Sequence, residues 1–142
     1  MRVLVLAVGR MKEDYFRAAE TEYARRLRPY CHLLIEEVKD EAALLRAVPD
    51  GSLVVALDER GDLLTSGDLA TGLLGREEQH GAGRPIAFAI GGPDGHAEAL
   101  RRRAGRTVAF GRITMAHRLA RVVLLEQLYR AFTILRGHPY HH

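Results

Sequence analysis

An unbroken apolar run, Pro85 to Ile90, stops abruptly at Gly91-Gly92-Pro93, and this break constrains the chain more than any other stretch. The run predicts a buried strand. Asp94 is placed to cap a helix predicted over His96 to Arg103. Paired glycines let the backbone take unusual φ angles, so a ligand can lie directly on the main chain. In open α/β sheets, ligands bind at strand ends. Taken alone, the stretch fits a ligand-free strand-to-helix turn equally well.

The rest of the chain repeats the alternation. Arg2 to Val8 reads as a strand ended by Gly9. From Met11 to Leu27, the residues Tyr15, Phe16, Ala19, Tyr23 and Leu27 recur at helical spacing, with Arg17, Arg25 and Arg26 left to the surface. Pro29 closes that helix. His32 to Val38 is a second strand, and Glu41 to Val48 a short helix ended by Pro49-Asp50-Gly51. Ser52 to Leu57 is a third strand, ending in a polar turn, Asp58-Glu59-Arg60-Gly61. Ser66 is placed to cap a helix reaching Gln79. After the Pro85 to Ile90 strand come a short fifth strand, Thr107 to Phe110, and a long helix, His117 to Leu135. A polar tail, Arg136 to His142, follows. Strands alternating with helices predict an α/β fold, a parallel sheet with flanking helices, as a single domain over 1–142.

The last helix departs from an ordinary surface helix. Leu119, Val122, Val123, Leu124, Leu125, Leu128, Phe132, Ile134 and Leu135 spread around most of its circumference. Its polar positions are few: Arg118, Arg121, Glu126, Gln127 and Arg130. Such a helix is expected to be covered twice, once by its own sheet and once by another subunit.

Composition excludes more than it assigns. The N-terminal apolar run is too short for a membrane span, and charged residues follow too soon for a signal peptide. Cys31 is the only cysteine, so no internal disulfide forms and a reducing cytoplasm is expected. The net charge of +3 is carried almost wholly by arginine, with lysine only at Lys12 and Lys39. Arginine suits bidentate phosphate contacts, which permits nucleic-acid binding without requiring it.

The glycine turn lacks the Gly-Lys-Ser/Thr of a P-loop and the Gly-x-Gly-x-x-Gly of a dinucleotide fold. No Gly-x-Ser-x-Gly elbow is present. His138, His141 and His142 cluster in the tail without the partners of a zinc site, so no metal is expected. Three ligand-suited turns remain, each after a strand: Leu57-Asp58, Gly91-Gly92 and Phe110 to Met115. Parallel strands point their ends the same way, so the three turns are expected to share one pocket of backbone groups and apolar walls. That suits an adenine-bearing ligand better than a free polyphosphate. The tail His138-Pro-Tyr-His-His142 is the obvious source of polar chemistry.

The order Leu57-Asp58, Ile90-Gly-Gly-Pro-Asp-Gly95, Thr114-Met-Ala-His117, Leu125-Glu-Gln-Leu-Tyr-Arg-Ala131 and Gly137-His-Pro-Tyr-His141 resembles the RlmH-type methyltransferases of the SPOUT class. Leu6-Ala-Val-Gly9 and Thr21-Glu-Tyr-Ala-Arg-Arg26 match as well, so the likeness spans essentially the whole chain. The resemblance implies methylation of N3 of a pseudouridine in the decoding-centre stem-loop of 23S ribosomal RNA. It implies a C-terminal deep trefoil knot, a homodimer packed through the knot, and S-adenosylmethionine held by the knot loops. Carried over by position, the cofactor contacts are Leu57, Gly91, Phe110, Gly111, Arg112, Ile113, Thr114 and Met115.

The imide N3–H of pseudouridine must lose its proton before it attacks a methyl group, so a general base or a cation stabilising the anion is needed. The tail offers His141 and Tyr140 as catalytic candidates. Arg118, Arg130 and His142 are candidate RNA contacts, with Glu126 and Arg130 also spaced for a helix ion pair. Three positions depart from the family pattern: Ala116 and Arg118 replace prolines beside His117, and His142 stands where the family often ends in arginine. With no appended RNA-binding module, the chain is expected to act on assembled ribosomes. The rival readings are a SPOUT enzyme acting on transfer RNA and a non-catalytic ribosome-associated RNA-binding protein.

Overall fold

The computed structural model describes residues 1–140. In chain order the elements are β1 Arg2–Val8, α1 Asp14–Leu27, β2 His32–Val38, α2 Glu41–Ala47 and β3 Leu53–Leu63. A π-helical stretch, Asp68–Gly75, then runs into α3, Arg76–His80. β4 Ile86–Ile90, α4 Glu98–Arg103, β5 Arg106–Ala109 and α5 His117–Arg136 complete the chain. The five strands form one sheet in the order β2-β1-β4-β3-β5, with every pairing parallel. All the carboxyl ends therefore open on one edge, as expected.

Side chains alternate across the sheet and split the core in two. Val3, Val5, Val55, Ile86, Phe88 and Ile90 face one way, under Leu124, Leu125, Leu128 and Phe132 of α5 and Leu69, Leu73 and Leu74 of the π-helical stretch. Leu6, Val54, Ala87 and Ala89 face the other, against Leu44 of α2 and Leu100 of α4. β4 is buried along its whole length, which explains its unbroken apolar sequence.

Several local expectations change. β3 does not stop at Leu57: it continues to Leu63, and Leu57 and Asp62 both face Val108 of β5, so residues 58–61 bulge outward. A Cβ on Gly61 would lie 2.7 Å from the Thr107 backbone, so only glycine lets the bulge sit this close to β5. Asp94 does not cap α4. Instead Gly92 to Gly95 closes a tight turn, the Gly95 N–H donating to the Gly92 carbonyl at 3.0 Å, with Asp94 at its corner. The cap comes from α2, where Glu41 Oε1 accepts the Ala97 N–H at 2.8 Å. Ser66 is likewise replaced as a cap. Thr65 Oγ1 accepts the Asp68 N–H at 3.0 Å and Asp68 returns the bond at 3.1 Å, while Ser66 donates to Gln127 of α5 at 2.8 Å.

α5 lies on the sheet, as its sequence predicts, and packs beside α1 and the π-helical stretch of its own chain. Arg121, one of the few polar positions of α5, does not face solvent. It is only 1% exposed and donates to Glu37 at 2.8 Å, Glu20 at 3.0 Å and the Gly9 carbonyl at 3.3 Å. Leu119 is still 40% exposed, and Val122 and Val123 are half-buried. At the start of α1, Tyr15 also faces outward rather than into the core.

Candidate active site at the strand ends

The ends of β3, β4 and β5 and the start of α5 enclose a cleft of about 620 Å³, a size suited to a small-molecule ligand. Leu57, Gly91, Phe110, Gly111, Ile113, Thr114 and Met115 all line it. Seven of the eight residues carried over as cofactor contacts thus meet at one place. Leu57, Ile90, Val108, Phe110 and Met115 supply apolar surface. Bare backbone fills the gaps: a Cβ on Gly91 would lie 3.0 Å from the Gly95 carbonyl carbon, whereas Gly111, at φ +142°, faces open space. Ile113 stands 88% exposed beside the opening.

Arg112 does not line the cleft. Its guanidinium donates to the carbonyls of Glu59 at 2.6 Å and Gly61 at 2.8 Å. Thr114 donates to the Glu59 carboxylate. These bonds lock the 58–61 bulge against the loop that follows β5. Within the bulge, Asp58 accepts from Arg60 Nε and Nη2, both at 3.1 Å, and from Arg101 of α4 at 3.4 Å. The Arg60 guanidinium, joined by Arg101, holds the Asp58 carboxyl well below its usual range, at about 2.

Two histidines that spacing did not mark as site residues also line the cleft. His96 is buried beneath the glycine turn, its Nδ1 3.1 Å from Glu41 and its Nε2 3.1 Å from the Ala89 carbonyl. His117 opens α5 beside Gly9, and burial pushes its pKa down, helped by the charges of Arg118 and Arg121. Arg60 and Arg101 were likewise missed. They lie on different elements, and only the sheet topology brings them together.

The tail residue Tyr140 lies elsewhere. Its hydroxyl is 3.4 Å from both the Tyr23 hydroxyl and Glu126, and its ring meets Tyr129 edge-on at 4.6 Å. Burial pushes the Tyr140 phenol well up, so it stays protonated. Arg130 lies over that ring at 5.0 Å and donates to Glu126, the helix ion pair its spacing allows. At 1.5 Å per residue, Tyr129 is roughly 13 Å along α5 from Ala120, which lines the cleft. Within one chain, then, Tyr140 does not reach the cleft. Arg118 sits nearer to it, donating to the Arg10 carbonyl at 2.9 Å and to Glu13 at 3.4 Å. The candidates His141 and His142 lie outside the described residues. Among the described residues there is no cluster of three metal-ligating side chains, and no helix is long and apolar enough to cross a membrane.

The family described as predicted SPOUT methyltransferase matches residues 1–141. A protein named ribosomal RNA large subunit methyltransferase H from Geobacter sulfurreducens is 44% identical, covering 100% of both chains. Its namesakes from Thermus thermophilus and Bradyrhizobium diazoefficiens are 45% and 46% identical, each covering 99% of this chain and at least 98% of their own. Among solved structures, the SpoU methyltransferase AviRb from Streptomyces viridochromogenes, in complex with AdoMet, superimposes with a TM-score of 0.56 at 16% identity. That match covers 96% of this chain and 59% of AviRb. A probable methylase family protein from Haemophilus influenzae gives a TM-score of 0.58 at 9% identity, covering 95% of this chain and 68% of that one. At such identities the two structures speak for the fold alone. The family match over nearly every residue, joined to full-length relatives above 40% identity, decides the rest: the chain belongs to the SPOUT methyltransferase family.

Proposed function

We propose that this chain methylates large-subunit ribosomal RNA with S-adenosylmethionine, at N3 of a pseudouridine in the decoding-centre stem-loop, on assembled ribosomes. One observation carries the reading: Leu57, Gly91 and the loop from Phe110 to Met115 line a single cleft. The full-length relatives named as large-subunit ribosomal RNA methyltransferases support the choice of substrate.

The residues present fit the cofactor. Apolar side chains of Leu57, Phe110 and Met115 would hold it by contact, and the bare main chain of Gly111, with open space where a Cβ would stand, lets it approach closely. When bound, S-adenosylmethionine supplies a methyl group activated by its sulfonium sulfur. The chain's own task is to orient the target base and take its N3 proton. Tyr140, held as a protonated phenol, suits donating a hydrogen bond and not accepting that proton. His141 is therefore the proposed base, with Tyr140 positioning it. Because Tyr140 lies far from the cleft of its own chain, the tail serves the cleft of a second copy, and the active form is a homodimer. The exposed Leu119 and half-buried Val122 and Val123 offer apolar surface for that contact. The knot belongs to the same proposal. β5 lies at the sheet edge beyond β3, yet the chain returns as α5 to pack against β4 and α1, the path that a threaded chain would take. A ribosomal substrate and a single buried thiol favour the cytoplasm.

The test is tritiated methyl transfer from S-adenosylmethionine to ribosomes from a strain lacking the enzyme, beside separated subunits and free transfer RNA. Label in the 23S RNA of whole ribosomes, lost in His141→Ala, is the expected result. Label that survives His141→Ala keeps the function and removes the proposed base. Label in transfer RNA alone moves the substrate, and cofactor binding without any label leaves a non-catalytic protein.

A further inference from the structure

Resting on that reading, we infer that Arg60 and Arg101 form a phosphodiester-binding site at the mouth of the cleft, which seats the backbone of the target RNA. The arginines expected to touch RNA are committed elsewhere: Arg118 to Arg10 and Glu13, Arg130 to Glu126 and the Tyr140 ring. Among the residues lining the cleft, Arg60 and Arg101 are the two arginines. Both look outward, with side chains 65% and 41% exposed, while the carboxylate between them is only 12% exposed. A single aspartate thus orients two guanidinium groups and offsets the charge of one. Among the described residues Arg60 keeps Nη1 free, and Arg101 keeps Nε and Nη1 free, for a further acceptor. Guanidinium groups paired in this way match the geometry of phosphate oxygens.

The site is also built to stay in place. The register shift in β3 pushes residues 58–61 out over the cleft, the Arg60 N–H folds back on Asp58 at 2.9 Å, and Arg112 pins the Glu59 and Gly61 carbonyls. Gly61 lies flush against β5, where no side chain fits. A sequence-independent backbone contact needs this rigidity, because it fixes the register of the strand relative to the reacting base. Glu59, the other acidic group of the bulge, is turned to Thr114. Asp94 is exposed at the corner of the glycine turn, so the donors of this mouth are the two arginines.

The test compares the unaltered protein with Arg60→Ala, Arg101→Ala, the double variant and Arg60→Lys. KM for ribosomes is measured from 50 to 200 mM salt, and the dissociation constant for S-adenosylmethionine by calorimetry. Each alanine variant is expected to raise KM for ribosomes about five- to tenfold and to lower the slope of log affinity against log salt by about 1. Arg60→Lys recovers the slope but not the full affinity, and cofactor binding moves less than twofold in every variant. Arg102→Ala, at a residue of α4 that does not line the cleft and has a side chain 73% exposed, leaves KM and slope unchanged. An unchanged KM and slope in the double variant, or an equal loss in Arg102→Ala, overturns the site. Weakened cofactor binding with an unchanged salt slope would assign the arginines to the cofactor's carboxylate instead. Failure of the unaltered protein to label ribosomal RNA at all would count against the proposed function, a separate outcome.

Discussion

Arg121 donates to Glu37 at 2.8 Å from a position that is only 1% exposed. The pair ties the first turns of α5 to the end of β2, and Glu20 at 3.0 Å adds α1 to the same node. Removing the guanidinium strands two carboxylates beside a buried gap, so Arg121→Ala should cost about 3 kcal/mol. Glu37→Gln, which keeps a partner in place, should cost about 1 kcal/mol. Urea unfolding of the two variants checks the order; equal costs would mean the node is held by packing alone.

His117 sets a pH dependence of known sign. Its folded pKa is depressed by burial and by Arg118 and Arg121, so the unfolded chain takes up the proton first. The stability it contributes is present above its ordinary value of 6.5 and is lost as pH falls below it. Thermal melts of the unaltered protein and His117→Asn between about pH 7 and 5 should converge toward the acid end. Asp58 acts in a lower window. With its pKa at about 2 against an ordinary 3.8, its contribution fades only as pH falls through that interval. Because its arginine partners are well exposed, that contribution is worth on the order of 1 kcal/mol.

Two glycines make a matched pair of tests. Gly61→Ala puts a Cβ 2.7 Å from the Thr107 and Val108 backbone, which cannot move without opening the β3–β5 pairing. A loss of about 2 kcal/mol or more is expected, together with weaker RNA binding. Gly72→Ala, in the π-helical stretch with nothing within 4 Å, should be neutral or stabilising by up to about 1 kcal/mol. Melting temperatures of the two variants read the difference directly.

Cys31 is buried, and burial pushes its thiol up to about 11. Alkylation at pH 8 should therefore be slow in the folded protein and rise with denaturant along the unfolding curve. Rapid labelling without denaturant would mean that the edge of the sheet near β2 opens locally.

Mixed dimers test the division of labour between cleft and tail. Gly91→Val pushes the glycine turn out of place, its Cβ meeting the Gly95 backbone at 3.0 Å, and His141→Ala removes the proposed base, so each variant alone should be inactive. Refolding the two together should restore activity in those dimers that pair an intact cleft with an intact tail. No recovery would put cleft and tail on the same chain.

The alternation of apolar runs and amphipathic segments is local, and every strand and helix it predicts is present to within a few residues, except that β3 runs on to Leu63. Local pattern could not order the strands, because β4 sits between β1 and β3 only through long-range pairing. The cleft was legible where turns follow strands, as at Gly91 and at Phe110 to Met115. It was illegible where one element serves another. Glu41 caps a helix far along the chain, and Arg101 reaches Asp58 across two strand connections. Arg121 shows the limit of periodicity most plainly: its charge argued for solvent, and two glutamates on other elements brought it inside.

The shift of register in β3 separates folding from recognition. Leu53 to Leu57 pair with β4, and Asp62 and Leu63 with β5 alone, so residues 58–61 carry little of the sheet's own cohesion. Gly61 and Asp58 excepted, substitutions there alter what the cleft greets at its entrance while leaving stability nearly untouched. This short span is where a lineage could retune its choice of RNA without rebuilding the core, and where directed evolution of specificity would best begin.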